Sequence, residues 1–162
     1  MVFVTVGTTK FDALVEAVSS PSIRRQLESL GFTRLVLQIG RGQYEPESFI
    51  KPNFRMDVYR FKDSIADDIK GASLIISHAG AGSVLESLGA KKPLVVVINE
   101  HLMGNHQIEL AYKLYTEGHL LYCTPSELLK TLQDLDVSKL KPFPPGQPEK
   151  FAAYVDQFFG LS

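Results

Sequence analysis

The sequence predicts an α/β domain built on a mainly parallel sheet, and three observations carry that expectation. Short continuous apolar runs recur along the chain, as strands buried on both faces produce them. Stretches of helical length lie between those runs, bounded by Pro or Gly. Small-residue turns follow several of the runs, Gly7-Thr8-Thr9, Gly40-Arg41-Gly42 and Gly80-Ala81-Gly82 among them, and suit tight strand-to-helix connections. At 162 residues the chain is expected to be one domain, 1–162, with a real core, too short for two domains of this class.

The elements follow in order. Residues 2–6, Val-Phe-Val-Thr-Val, are the first strand candidate. A helix over 11–18 is interrupted at Ser20-Pro21, because proline disfavours helix in the residue before it; a second helix, 22–30, stops at Gly31. Strands at 34–39 and 56–59 precede a helix at 63–69 that ends near Gly71. The strand at 72–77 leads through a small-residue turn into a helix at 83–88, closed by Gly89. The strand at 94–98 is the most hydrophobic, and the helix at 105–117 ends at Gly118. A strand at 119–123 and a helix at 126–132, opened by Thr124-Pro125, complete the alternation, which implies helices on both faces of the sheet. The one linker, 141–148, is stiffened by its prolines and carries a final helical segment, 149–159, to a defined place.

Composition narrows the function classes. A net charge of −1 without a long basic run predicts no strong attraction to nucleic acid or to an anionic membrane, so nucleic acid is not an expected partner. The single cysteine, Cys123, excludes an internal disulfide and suits a reducing compartment; its apolar run, 120–123, makes it a buried structural thiol. Met1 leads straight into the first strand with no signal-peptide pattern, and no apolar run reaches the roughly 18 residues of a membrane span. Work at a membrane would need an anchor from elsewhere.

Ligands of open α/β sheets bind at the carboxyl ends of the strands, so the loops there carry the chemistry. Gly7-Thr8-Thr9 reads as a phosphate-holding turn or as an ordinary tight turn, with Asp12 placed to cap the next helix. Arg41, between two glycines, reads as an anion contact or as a solvated loop residue. In Ser77-His78-Ala79-Gly80-Ala81-Gly82-Ser83 a small-residue turn opens a helix, where phosphates approach the backbone and meet free N–H groups. Neither the dinucleotide fingerprint nor the P-loop lysine is present. His78 is a donor to a phosphate or substrate oxygen, or a cap on the strand end. Glu86 holds both hydroxyls of a ribose, or closes a capping box with Ser83. Asn105, His106 and Gln107 gather the donors and acceptors that neutral sugar hydroxyls need, while Asn105 alone also reads as a helix N-cap. His101 and His106 lack a third ligand at a familiar spacing, so no metal is expected. There is no Gly-x-Ser-x-Gly elbow and no recognisable Cys–His pair. Glu45, Glu47, Asp67 and Asp68 read as solvated surface.

Phe3-Val4-Thr5-Val6-Gly7-Thr8-Thr9 with Phe11-Asp12, Leu37-Gln38-Ile39-Gly40-Arg41-Gly42, Ser77 to Ser83, Pro93 to Asn99, Asn105-His106-Gln107 and Pro144-Pro145-Gly146-Gln147-Pro148 are specific in combination. Through them the chain resembles, over residues 2–159, the catalytic subunits of the eukaryotic dolichol-pathway UDP-N-acetylglucosamine transferases, of glycosyltransferase family 28. Those subunits are similar to the donor-binding, carboxyl-terminal half of the bacterial lipid-linked UDP-N-acetylglucosamine transferase. The resemblance implies a Rossmann-like, mainly parallel sheet with helices on both faces, the donor-binding half of a GT-B glycosyltransferase. It implies that Gly7, Thr8 and Thr9 face the donor diphosphate and that the Gly80-Ala81-Gly82 turn and the helix start at Ser83 face the nucleotide, with His78 a further substrate-binding candidate. Glu86 would hold the ribose and Gln107 the donor sugar, with Asn105 and His106 beside it. No residue matches the catalytic base, which belongs to the absent acceptor half. The implied reaction moves N-acetylglucosamine with inversion from UDP-N-acetylglucosamine to dolichyl-diphosphate-N-acetylglucosamine, without a metal or other cofactor. It also implies a membrane-anchored, acceptor-binding subunit, engaged through Phe151, Tyr154, Val155 and Phe158, with the complex in the cytoplasm and on the cytosolic face of the endoplasmic reticulum. Two rival classes stand beside it: a non-catalytic nucleotide-binding adaptor and an enzyme like the UDP-N-acetylglucosamine 2-epimerases.

Overall fold

The computed structural model describes residues 1–99 and 105–141. Strand β1, Val2–Thr5, is the innermost of a seven-stranded sheet. On one side lie β2 (Arg34–Gln38), β4 (Phe54–Tyr59) and the edge strand β3 (Phe49–Lys51). On the other side lie β5 (Leu74–His78), β6 (Leu94–Val97) and β7 (Leu121–Cys123). The order is β3-β4-β2-β1-β5-β6-β7, parallel throughout except for the β3–β4 pair. Val4 is flanked by Leu37 and Ile76, so three apolar side chains from three strands share one row.

Alternation along β1 sends Val2 and Val4 to one face and Phe3 to the other, and every residue of the strand is buried. Against the first face pack α1 (Asp12–Ser19), α2 (Pro21–Ser29) and α6 (Leu128–Gln133), through Leu14, Val15, Val18, Ile23, Leu27, Leu128 and Leu132. Against the second pack α3 (Ala66–Gly71), α4 (Ala81–Gly89) and α5 (Asn105–Thr116), through Ile69, Val84, Leu88, Leu110, Ala111 and Leu114. Each such buried side chain contributes on the order of 2 kcal/mol, so the two cores on a shared sheet dominate stability. The α/β architecture expected from the sequence is the one observed.

Four departures from the sequence reading have local causes. The strand β3 was not expected: it is three residues long, and the two-residue Pro52-Asn53 connection to β4 lacks the positive φ of the usual hairpin turns. Pairing with β3 also begins β4 at Phe54, two residues earlier than expected. Helix α3 starts at Ala66 rather than at residue 63, which moves Asp63 and Ser64 into the preceding loop. Helix α4 starts at Ala81 with Gly80 as N-cap, so Ser83 is already inside the helix and the Ser83–Glu86 capping box does not form. A capping box does form at Thr124 and Glu127, where a 3-10 turn, Pro125–Glu127, precedes α6. The Pro-rich stretch from Pro142 onward and the expected helix 149–159, with Phe151, Tyr154, Val155 and Phe158, lie outside the described residues.

Candidate functional site at the carboxyl edge of the sheet

From β1 the chain runs outward to β2 and β4, then returns to place β5 on the other flank of β1. Strand order therefore reverses between β1 and β5, and the crevice outside their carboxyl ends is where open α/β sheets take ligands. The two small-residue turns noted in the sequence, at Gly7 and at Gly80, are the two turns that leave this point.

Gly7 has φ +65°, a conformation other residues adopt at a cost, and it is held at both ends by one side chain. Gln38, the last residue of β2 and 3% exposed, accepts from the Gly7 N–H at 2.9 Å and donates to the Gly7 carbonyl at 2.7 Å. Its Oε1 also accepts from the Thr5 hydroxyl and the Val6 N–H, and its other amide hydrogen goes to the Arg60 carbonyl. The turn closes on itself through Thr9, whose N–H and hydroxyl both donate to the Val6 carbonyl. Gly40, at φ +62°, lies so close beneath that a Cβ there would stand 2.3 Å from the Thr9 carbonyl oxygen.

His78 fills the space between the two turns. A Cβ on Gly7 would lie 2.7 Å from its Nε2, and one on Gly80 would lie 2.2 Å from its Cε1. Both glycines thus make room for this ring. Burial lowers the His78 pKa to about 4, so the imidazole is neutral near pH 7. It makes no hydrogen bond to any described residue, which leaves its ring nitrogens available at the turn.

The far wall is the loop of residues 61–65 between β4 and α3. Asp68 was expected to be solvated surface; instead its side chain is 14% exposed, accepting from the Tyr59 hydroxyl and the Lys62 ammonium, which also lies over the Tyr59 ring. These contacts tether the loop to α3. At its root, Arg60 donates to the Gly40 and Gly42 carbonyls and pairs with Glu45. Asp12 was expected to cap α1, yet Phe11 is the N-cap and the Asp12 carboxylate accepts from the Gln43 and Tyr44 N–H groups instead. That loop offers unpaired amides, which outcompete the helix end for the carboxylate.

Between these walls is a cavity of about 310 Å³, lined by Thr5, Gly7, Thr8, Gln38, the 61–65 loop and Glu86. Glu86, one turn into α4, has no hydrogen bond or ion pair to a described residue. The Gly80 N-cap has no side chain to satisfy the first N–H groups of α4, so the backbone there is left for an anion. A Cβ on Gly82 would meet nothing within 4 Å, so that turn stays open.

Of the sequence-predicted residues, Gly7, Thr8 and Glu86 line the cavity; the His78 ring lies against Gly7 and Gly80, and Gly80, Ala81, Gly82 and Ser83 open α4, the helix that carries Glu86. Thr9 is absent from the lining, its hydroxyl turned to the Val6 carbonyl. Asn105, His106 and Gln107 form the first turn of α5; their side chains lie outside the described residues. Arg41 is exposed, its N–H held by the Thr9 carbonyl. Among the described residues no cluster of His, Cys, Asp or Glu is placed to hold a metal ion, and no helix is long and apolar enough to cross a membrane. Sequence reasoning missed Gln38 and the 61–65 loop. An amide inside the run Leu35-Val36-Leu37-Gln38-Ile39 was the available signal, since a polar group in a buried strand needs partners.

The family description "Glycosyltransferase family 28 C-terminal domain" matches residues 1–158. The chain is 63% identical over 123 residues to the human "UDP-N-acetylglucosamine transferase subunit ALG13", covering 76% of this chain and 11% of that protein. It is 35% identical over 176 residues to the protein of the same name from Saccharomyces cerevisiae, covering 88% of this chain and 87% of that one. The chain thus spans about a tenth of the human relative and most of the yeast one. An NMR solution structure of ALG13 superposes with a TM-score of 0.74 at 30% identity, covering 98% of this chain and 96% of that one. Acinetobacter baumannii MurG shares the fold, with a TM-score of 0.61 at 22% identity over 96% of this chain and 44% of its own. A Rossmann-like sheet whose crevice opens between two glycine turns, matched over nearly its whole length, belongs to the glycosyltransferase family 28 C-terminal domain family.

Proposed function

We propose that this chain is the donor-binding subunit of a UDP-N-acetylglucosamine transferase that adds the second N-acetylglucosamine to dolichyl-diphosphate-N-acetylglucosamine. The observation that carries the reading is the joint placement of Gly7, Thr8 and the unpartnered Glu86 around one cavity beside an uncapped helix start. Relatives named as UDP-N-acetylglucosamine transferase subunits supply the substrate class.

In this reading the Glu86 carboxylate accepts the two ribose hydroxyls, and the α4 N-terminus with the Gly7–Thr8 turn meets the diphosphate. Gln107, with Asn105 and His106, reads the donor sugar. An acceptor hydroxyl attacks the anomeric carbon from the face opposite UDP, the bond to the β-phosphate oxygen breaks, and configuration inverts. Negative charge grows on the leaving UDP, and fixed N–H dipoles at a helix start stabilise that charge without reorganising. The proton of the acceptor hydroxyl passes to a base on a second subunit, membrane-anchored and acceptor-binding, which docks on Phe151, Tyr154, Val155 and Phe158. The complex works on the cytosolic face of the endoplasmic reticulum, with the free chain in the cytoplasm.

The test is a transfer assay with UDP-N-acetylglucosamine and a dolichyl-diphosphate-N-acetylglucosamine acceptor, using the chain alone and the chain co-purified from membranes with its partner. Product from the complex alone, without added divalent metal, is expected. Robust transfer by the single chain would overturn the split active site. Tight UDP binding with no transfer in any combination would leave a nucleotide-binding adaptor, and release of epimerised free sugar without the lipid acceptor would point to epimerase chemistry.

A further inference from the structure

We infer that Gln38 is a positioning residue of the donor site: its amide fixes the Gly7–Thr8 turn and ties it to the root of the opposite cavity wall. The inference rests on reading the cavity as the donor site. Every polar atom of the side chain is committed. Oε1 accepts from the Thr5 hydroxyl and from the Val6 and Gly7 N–H groups at 3.1 and 2.9 Å. Both Nε2 hydrogens are used, on the Gly7 carbonyl at 2.7 Å and the Arg60 carbonyl at 2.6 Å. Although Gln38 lines the cavity, it has no hydrogen left to offer a ligand, so it acts on the turn.

The pattern of partners explains why this position needs an amide. Three donors converge on one end of the side chain and two carbonyls on the other, and only a primary amide presents an acceptor and two donors at that separation. Flipping the amide would set N–H groups against N–H groups. Gly7 sits in the left-handed region, outside any repeating ladder, so nothing regular fixes the orientation of its peptide groups. Gln38 grips its N–H and its carbonyl together, and thereby sets the direction in which Thr8 faces the cavity. The Arg60 carbonyl, which also accepts the Gly40 N–H, begins the 61–65 loop, so one buried side chain joins two walls that meet a ligand from different directions.

The test uses the full chain assembled with its partner subunit and compares Gln38→Glu, Gln38→Met and Thr5→Val with the unaltered complex. Gln38→Glu keeps the acceptor end and loses both donors; Gln38→Met loses both ends. Expected is a rise of about tenfold in the UDP Kd and in the UDP-N-acetylglucosamine KM for Gln38→Glu, and a larger rise for Gln38→Met. Thr5→Val, which removes one donor to Gln38 and a second acceptor of the Gly7 N–H while keeping the strand, should give a smaller rise. Displaced Gly7 and Thr8 amide resonances should accompany each change. Lowered melting temperatures with unchanged UDP Kd and donor KM would overturn the inference and leave Gln38 a core residue. If Gln38→Met fails to fold, the other two variants decide the matter by the same readouts. Failure of the unaltered complex to bind UDP would bring down the donor-site reading itself, and this inference with it.

Discussion

Glu86 stands on the cavity wall with no partner among the described residues, an arrangement that keeps a carboxylate ready for hydroxyl groups. Glu86→Ala is expected to raise the donor KM by about 5- to 150-fold, the range for losing paired hydrogen bonds of 1–3 kcal/mol, with the melting temperature unchanged. A lowered melting temperature with unaltered kinetics would give the residue a structural role instead. Gly80→Ala tests the packing of the His78 ring: a methyl 2.2 Å from Cε1 must displace the ring or the turn, and a loss of about 1–3 kcal/mol in urea unfolding is expected. His78 also sets a pH dependence. Its folded pKa of about 4 lies below the ordinary histidine value of 6.5, so between the two the unfolded chain binds a proton that the folded chain refuses. Stability should therefore fall as pH drops from about 6.5 to about 4, by up to about 3 kcal/mol, and His78→Gln should flatten that slope in urea titrations at pH 5 and pH 7. At this scale the sequence pointed to side chains whose context is local, such as Glu86, which follows a small-residue turn and stands on the cavity wall. It hid Gln38, because the partners of a buried amide come from β1 and from the residue after β4, far off in the chain.

Elements were legible wherever periodicity was long and punctuation clear. Helix α2 illustrates this: Pro21 at its first position, Ser20 as N-cap accepting the Ile23 N–H, and Ile23 and Leu27 one turn apart on the buried face. Helix α3 was legible in kind but not in start, since Asp63 and Ser64 suit a helix N-terminus as well as a loop. What placed them in the loop is tertiary: the bonds from Tyr59 and Lys62 to Asp68 fix α3 and the segment before it. The edge strand β3 was illegible because three residues carry too little alternation, and its pairing is visible only once β4 is in place. At Thr124 the capping box joins β7 to α6 across the 3-10 turn. Thr124→Ala should cost about 1 kcal/mol, measured by urea unfolding at pH 7.

For the whole molecule the fold class followed from alternation alone, whereas the strand order did not, because apolar runs of similar strength do not say which of them pair. The half-site reading came from the family resemblance, and its consequences belong to the assembly. The chain without its partner is expected to bind UDP and to transfer no sugar. Truncation after Pro148 should abolish co-purification with the proposed membrane-anchored subunit while UDP binding persists; full recovery of the complex would place the interface elsewhere. The sheet order carries one more consequence, for synthesis. Strand β1 precedes the other six described strands in the chain yet ends up innermost, with Leu35 and Leu37 on one flank and Leu74 and Ile76 on the other. As the chain leaves the ribosome, Val2, Phe3 and Val4 stay unshielded on one flank until residues 74–78 have been translated. The growing polypeptide passes through a window in which this fully buried strand has half its neighbours. Chaperone occupancy in ribosome profiling should be highest before β5 emerges and should fall once it pairs.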